Sequence, residues 1–369
     1  MTSNIKVLHI ISSLGQGGAE RQLVEILKEE KSHFVCLLLP NNFYTKELST
    51  KKNKIFHLNM RKHIPSIASL FKLFNIIKEV EPHIIHCWMY HSSFLELFIH
   101  KYSTIRNIPL IWGLRCSNMR LEYYSLRLKL IIKFCNIFSN TPNLIIHNSY
   151  EGKKFHDKLG FNNKSIVISN GINIRNFRKV ESHRALIRNR YKISDASKVF
   201  VCAARVDPMK DHDTLIKAFK IARNSHINTY LLLAGEGTQQ FKNIDGIIGL
   251  GPYENINEIY SASDFIVSSS AFGEGFSNAL GEGMANGLVP ISTNVGDAKF
   301  IIDDIGKLVD TKNHKLLADS FLWGLKLNKN EYKKRSLKAK NRITNYFSTE
   351  VMLKNYSDMY NKIIIDMKN

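Results

Sequence analysis

Cysteine is scarce and follows no pairing pattern. The 369-residue chain has five, Cys36, Cys87, Cys116, Cys135 and Cys202, with no C-x-x-C pair. An odd, scattered set argues against a disulfide framework and against a zinc site. A reducing compartment, the cytoplasm, is therefore expected. Proline numbers only 8 and glycine 20, which excludes a linker-like or collagen-like chain. No stretch of 18 uncharged apolar residues occurs, so no membrane-spanning helix is expected. The apolar start is short, stops at Gly15 and lacks a small-residue cleavage site. It reads as a buried first strand, not as a signal peptide.

Acidic residues are also in short supply. There are 32 Asp and Glu against 52 Lys and Arg, a net charge of +20. Residues 1–175 hold 24 basic and 11 acidic residues, so the first half carries about two-thirds of the excess. Such a field favours a polyanion or an anionic membrane surface. No nucleic-acid-binding motif accompanies it, and the basic residues are spread out, so no nucleic-acid partner is expected. Residues 118–137 mix Leu, Ile and Phe with Arg120, Arg127, Lys129 and Lys133. That segment reads either as a basic amphipathic surface for anionic lipid or as an ordinary helix packed on a sheet.

What is present is a regular alternation. Residues 5–12 form a β-branched apolar run, and the stretch from Ala19 places Leu23, Ile26 and Leu27 at helical spacing. Strand-like and helix-like segments then alternate as far as the apolar run at 144–147. The pattern restarts with the apolar run at 198–204. Such alternation implies right-handed crossovers and doubly wound parallel sheets. Two α/β domains are expected, over 1–175 and 176–347. A helix within 348–369 is expected to pack back on the first domain.

Four places combine chemistry-bearing residues with strand ends. Gly15, Gly17 and Gly18 precede a helix whose free N–H groups suit an anion. The spacing is neither a Walker loop nor a dinucleotide fingerprint, and a plain turn stays open. His91 follows the apolar strand at 83–87, at a place where α/β sheets bind ligands. Arg205 and Lys210 follow the first strand of the second domain, with Asp207 and Pro208 shaping a turn. Two cations there suit a diphosphate, Arg as a planar fork and Lys as a point charge. Glu274 and Glu282 lie eight residues apart, with Gly273 and Gly275 flanking the first. Ser277 or Asn278 is expected to cap the helix that carries Glu282. Carboxylates so placed read as acceptors for sugar or ribose hydroxyls, or as caps.

In order and spacing, these segments resemble the family 4 glycosyltransferases, retaining enzymes of the GT-B fold, over nearly the whole length. The glycine loop at 15–18, Trp88 to His91, Trp112 to Arg115, His147 to Ser149, Asn170 to Ile172, Arg205 with Lys210, Gly235 to Gly237, and Glu274 with Glu282 carry it. The resemblance implies two Rossmann-like domains facing a cleft. It implies that Arg205 and Lys210 grip the donor diphosphate, Glu274 meets the donor sugar and Glu282 the ribose. Backbone N–H groups of Gly275, Phe276 and Ser277 would line the donor. Gly17 and Gly18 would face the diphosphate, and His91 the transferred sugar. It implies no cofactor and no catalytic metal. The donor would be a nucleotide sugar, with UDP as default, and the acceptor a glycan such as a lipid-diphosphate-linked saccharide of surface polysaccharide. A nucleotide-sugar epimerase of the same fold is the alternative, and a basic polyanion-binding protein a more distant one.

Overall fold

A computed structural model describes residues 5–15, 17–40, 43–44, 48, 55–60, 65–100, 105–118, 122, 125–161 and 164–367. Gln16 of the glycine loop and Arg120 of the basic segment lie outside the described residues. The chain divides into two compact units, residues 1–170 with 352–369, and residues 171–351. The junctions fall a few residues from the expected 175/176 and 347/348.

The first unit runs β1 (Val7–Ile11), α1 (Gly18–Glu29), β2 (His33–Leu37), β3 (Ile55–His57), α2 (Ile67–Val80), β4 (Ile84–Trp88), α3 (Met89–His100), β5 (Leu110–Leu114), α4 (Leu126–Ile137), β6 (Leu144–His147), α5 (Tyr150–Leu159) and β7 (Ser165–Val167). Its strands form one parallel sheet in the order β3-β2-β1-β4-β5-β6-β7. Every residue of β1, β4 and β5 is buried. This is why these strands read as unbroken apolar runs: helices cover both faces of a parallel sheet. Period two still operates inside them. Leu8 and Ile10 join the core on one face, and Val7 and Ile11 that on the other.

The second unit runs α6 (Glu181–Arg190), β8 (Lys198–Ala203), α7 (His212–Ser225), β9 (Thr229–Ala234), β10 (Ile247–Gly251), α8 (Ile256–Ala262), β11 (Phe265–Ser268), α9 (Asn278–Asn286), β12 (Val289–Thr293), α10 (Ala298–Ile302), β13 (Lys307–Val309), α11 (His314–Lys326) and α12 (Lys329–Tyr346). Its parallel sheet has the order β10-β9-β8-β11-β12-β13. Val199 and Val201 face one core, Phe200 and Cys202 the other.

A last helix, α13 (Thr349–Asp366), returns to the first unit. Its Met352, Tyr356, Met359 and Tyr360 enter the core beneath β1 and β4. A buried polar network anchors it. Tyr360 Oη bonds His86 Nδ1 at 2.8 Å, and Arg115 donates to Tyr356 Oη at 2.8 Å and to the Asn170 side chain. His9 joins His33 at 3.0 Å and accepts from the Trp88 indole at 3.0 Å. Burial holds His9, His33 and His86 well below the ordinary imidazole value, His33 at about 4. All three are therefore neutral at pH 7. The five cysteines are buried and form no disulfide. Among the described residues no helix is long and apolar enough to cross a membrane.

Candidate functional site

An open α/β sheet binds ligands beyond its strand C-termini, where the strand order reverses. In the second unit that point lies between β8 and β11, because β8 pairs with β9 on one side and β11 on the other. The loop after β8 carries Arg205 and Lys210. The loop after β11 carries Glu274, Gly275, Phe276 and Ser277. Topology alone therefore brings together groups far apart in sequence.

The two loops are tied to each other directly. Lys210 Nζ is paired with Glu274 Oε1. Ser270 Oγ donates to the same carboxylate oxygen at 2.7 Å. Ser269 Oγ donates to the Lys210 carbonyl at 2.7 Å, and the Ala271 amide to the Met209 carbonyl at 2.8 Å. Burial opposes ionisation of Glu274, but the Lys210 ammonium, the Ser270 hydroxyl and the Arg205 charge outweigh it. The carboxyl is held below its ordinary value. Glu274 is thus an anion at neutral pH, able to accept from hydroxyls.

Arg205 differs from Lys210. Its guanidinium is 59% exposed and meets Asp207 through two contacts of 3.3 Å. An exposed pair of this kind is weak, so the fork is available to a stronger anion. Asp207 shapes the turn, accepting from the Met209 amide at 2.8 Å. Asp211 and Asp213 have the spacing of an Asp-x-Asp metal motif, but Asp211 caps α7, accepting from the Thr214 amide at 3.2 Å. Among the described residues no group of three or more His, Cys, Asp or Glu is arranged to hold a metal ion.

Glycine lets a second turn pack closely against the Glu274 loop. Gly296 has φ 58°, and a Cβ there would collide with the carbonyl oxygens of Glu274 and Gly275. The neighbouring Asp297 amide bonds the Gly275 carbonyl at 3.0 Å. Only glycine allows both the conformation and the approach. Phe276 is buried against Phe347, ring centroids 5.3 Å apart, so the backbone of this loop is pinned from behind. Ser277 is the N-cap of α9, but its side chain makes no capping hydrogen bond. The expected cap is corrected on that point: the hydroxyl does not turn onto the helix. Glu282, on the second turn of α9, is buried and accepts from Tyr260 Oη at 3.1 Å. Tyr260, Ser269 and Ser270 were not singled out from sequence. The only signal was the polar run Ser268 to Ser270, which begins on the last residue of a buried strand.

The remaining expected residues lie in the first unit, at its own reversal point between β1 and β4. Gly17 is the N-cap of α1 and Gly18 its first residue. The Glu20 carboxylate folds back beside Gly17, where a Cβ would displace it. Burial raises the pKa of Glu20, against the pull of its own amide and of Arg115. His91 stands in the first turn of α3. That turn opens with Met89 at φ 67°, and Ser93 Oγ bonds the Met89 carbonyl at 3.1 Å. A non-glycine residue in the left-handed region is strained and tends to mark a functional junction.

The family model described as Glycosyltransferase Family 4 matches residues 16–176, and that described as Glycosyl transferases group 1 matches residues 183–342. A putative glycosyltransferase of Bacillus subtilis, EpsF, is 22% identical over 312 residues, 78% of each chain. Among solved structures, HepE of Anabaena in complex with UDP superposes with a TM-score of 0.83 at 18% identity, covering 97% of this chain and 100% of that one. A glycosyltransferase of Rickettsia africae gives 0.80 at 21% identity, covering 98% and 99%. Two doubly wound units with these matches define a glycosyltransferase of the GT-B fold. The chain belongs to the family 4 type within that class.

Proposed function

We propose that the protein transfers a sugar, with retention of configuration, from a UDP-sugar to a glycan acceptor carried on a lipid diphosphate, in surface polysaccharide synthesis. The donor lies on the second unit. Arg205 and Lys210 take the diphosphate, Glu274 the sugar hydroxyls, Glu282 the ribose, and the amides of Gly275, Phe276 and Ser277 line the path. Gly17, Gly18 and His91 serve the transfer from the first unit, which also receives the acceptor. The first unit touches the inner face of the cytoplasmic membrane.

The observation that supports this reading most is the convergence of Lys210, Arg205 and Glu274 at one strand-order reversal. Breaking the sugar–phosphate bond leaves an oxocarbenium-like carbon and a diphosphate that gains negative charge. Cations fixed at that diphosphate stabilise the transition state more than the ground state. Glu274 beside Lys210 serves two ends: it positions the ammonium and supplies an anionic acceptor for sugar hydroxyls. The leaving phosphate can then take the acceptor's proton, so no enzymic nucleophile is required. HepE, solved with UDP and with UDP-glucose, lends weight to uridine in the donor.

The test is thermal unfolding with UDP and with GDP, on the native protein and on an Arg205→Ala/Lys210→Ala variant. A ligand at 100 times its Kd adds about 2.7 kcal/mol. Stabilisation of the native protein by UDP, lost in the variant, is expected. Equal stabilisation of both proteins would remove Arg205 and Lys210 from the donor site.

A further inference from the structure

Helix α4 has two apolar faces. Ile131, Ile132 and Cys135 point into the core. Leu126, Leu130, Phe134 and Ile137 line the other side at helical spacing and are 46 to 77% exposed. A helix that merely covers a sheet presents polar residues outward. The outer stripe does not end at α4. Phe134 meets Phe94 of α3, ring centroids 5.9 Å apart, and Phe94 meets the exposed Phe98 at 5.1 Å. Beyond α3 lies α2, which repeats the arrangement. Leu73, Ile76 and Ile77 are buried, while Ile67 and Phe71 are exposed. Between α2 and α3 opens a groove of about 370 Å³, lined by Ile67, Leu70, Phe71, Phe74 and Ile99. Its lining is wholly aliphatic or aromatic, and its volume falls in the range that takes a small organic ligand.

The charge around this face has one dominant sign. The three helices carry Lys72, Lys78, Arg127, Lys129 and Lys133 against Glu79 and Glu96, and Glu96 is fully buried. Helix α4 has three cations and no acid. Lys78 Nζ lies 4.6 Å from the Phe74 ring centroid, at the groove. A contiguous exposed apolar surface of this kind marks an interaction site. Its rim of lysine and arginine opposes a second copy docking face to face, since like charges would meet. The same rim is complementary to anionic phospholipid headgroups, with the apolar side chains below them among acyl chains.

We infer that the outer faces of α2, α3 and α4 together form an anionic-bilayer docking surface, and that the α2–α3 groove receives one hydrocarbon chain of the lipid. The inference rests on the reading of a lipid-linked acceptor for its purpose, but not for its test. The surface keys the first unit to the membrane by an apolar stripe flanked by cations.

Vesicle sedimentation tests it with phosphatidylcholine alone and with phosphatidylcholine mixed with phosphatidylglycerol. The native protein is expected to bind only the mixed vesicles, and less at high salt. Leu130→Asp/Phe134→Asp and Ile67→Asp/Phe71→Asp are each expected to weaken binding about tenfold or more. Circular dichroism should stay native in both variants; Phe134 also loses its contact with Phe94, so Leu126→Asp/Leu130→Asp, at 77 and 57% exposure, repeats the test with that contact intact. Arg127→Glu/Lys133→Glu should weaken binding by about fivefold for each charge removed, the equivalent of about 1 kcal/mol. Phe74→Trp should gain fluorescence quenching by acyl-brominated lipid beyond that of the native protein. No binding to mixed vesicles, or equal binding by the variants, overturns the surface. A dimer in light scattering that Leu130→Asp/Phe134→Asp dissociates overturns it in favour of a second copy. Absence of the added quenching in the Phe74→Trp variant removes the groove from the inference. Equally fast transfer to a water-soluble glycan, with vesicle binding intact, removes the lipid-linked acceptor and leaves the surface standing.

Discussion

Removing Lys210 should damage the protein in two separable ways. The Lys210 and Glu274 side chains are 19% and 12% exposed. Breaking a fully buried pair by deleting one partner costs about 3–5 kcal/mol, and residual solvent access at both groups reduces this to about 2 kcal/mol. For a unit of 150–250 residues, 1 kcal/mol shifts Tm by about 2–4 °C. Lys210→Ala should therefore lower the second unit's Tm by about 4–8 °C. Lys210→Ala/Glu274→Gln removes both charges and should recover at least about 1 kcal/mol of that loss, read as coupling in a double-mutant cycle. Transfer should fall about 10²–10³-fold in both variants, because the cation proposed for the diphosphate is gone. The pH dependence gives a third readout. The folded pKa of Glu274 lies below its ordinary 4.5, so its contribution to stability is complete above that value and is lost as pH falls through the folded pKa. In Lys210→Ala the desolvation that opposes ionisation is no longer offset by the ammonium, so this acid-side loss should shrink or reverse. Additive single-variant effects, or transfer within tenfold of normal, would refute the reasoning.

Arg205→Ala should separate activity from stability. Its exposed pair with Asp207 predicts a stability change within about 0.5 kcal/mol, alongside a loss of transfer of about 10²–10³-fold measured by donor turnover. Gly296→Ala should cost more than about 1 kcal/mol in denaturant unfolding, since it forces a side chain onto positive φ and onto two carbonyls. The first unit should weaken on acidification. The unfolded His33 titrates near 6.5 and the folded one at about 4, so stability is complete above 6.5 and falls as pH drops between those values. The loss from His33 alone approaches about 3 kcal/mol at pH 4. Unfolding of His33→Gln between pH 7 and 4 should show a flatter profile.

Much of the architecture was legible because parallel strands covered on both faces write themselves as short apolar runs. Val7 to Ile11, Ile84 to Trp88 and Val289 to Thr293 are of this kind. The candidate site was legible in part. Arg205, Lys210 and Glu274 announced themselves by lying just past such runs, beside glycine or proline. Their pairing was not written locally, because Lys210 and Glu274 are 64 residues apart and meet only through the strand order. Tyr260 is hidden for the same reason: nothing near it signals that its hydroxyl serves Glu282. The outer stripe of α2 was masked by its inner one, since Ile67, Leu70, Phe71 and Phe74 share a helical period with the buried Leu73 and Ile77. Of the expected caps Ser277 or Asn278, Ser277 does take the N-cap position, but without the side-chain hydrogen bond that its residue type suggested.

The bond from Tyr360 to His86 closes a span of 274 residues, and the whole of the second unit lies inside that span. Translation therefore delivers the two halves of the first unit at different times. At roughly 5–20 residues per second, the intervening 171–351 occupy the ribosome for about 10–40 seconds. Through that interval the first sheet has all its strands but lacks Met352, Tyr356, Met359 and Tyr360 beneath them. The second unit, contiguous in sequence, can finish folding while the first is still uncovered. Of the two units, the one that begins first is thus completed second, and the arrival of α13 is the event that seals it.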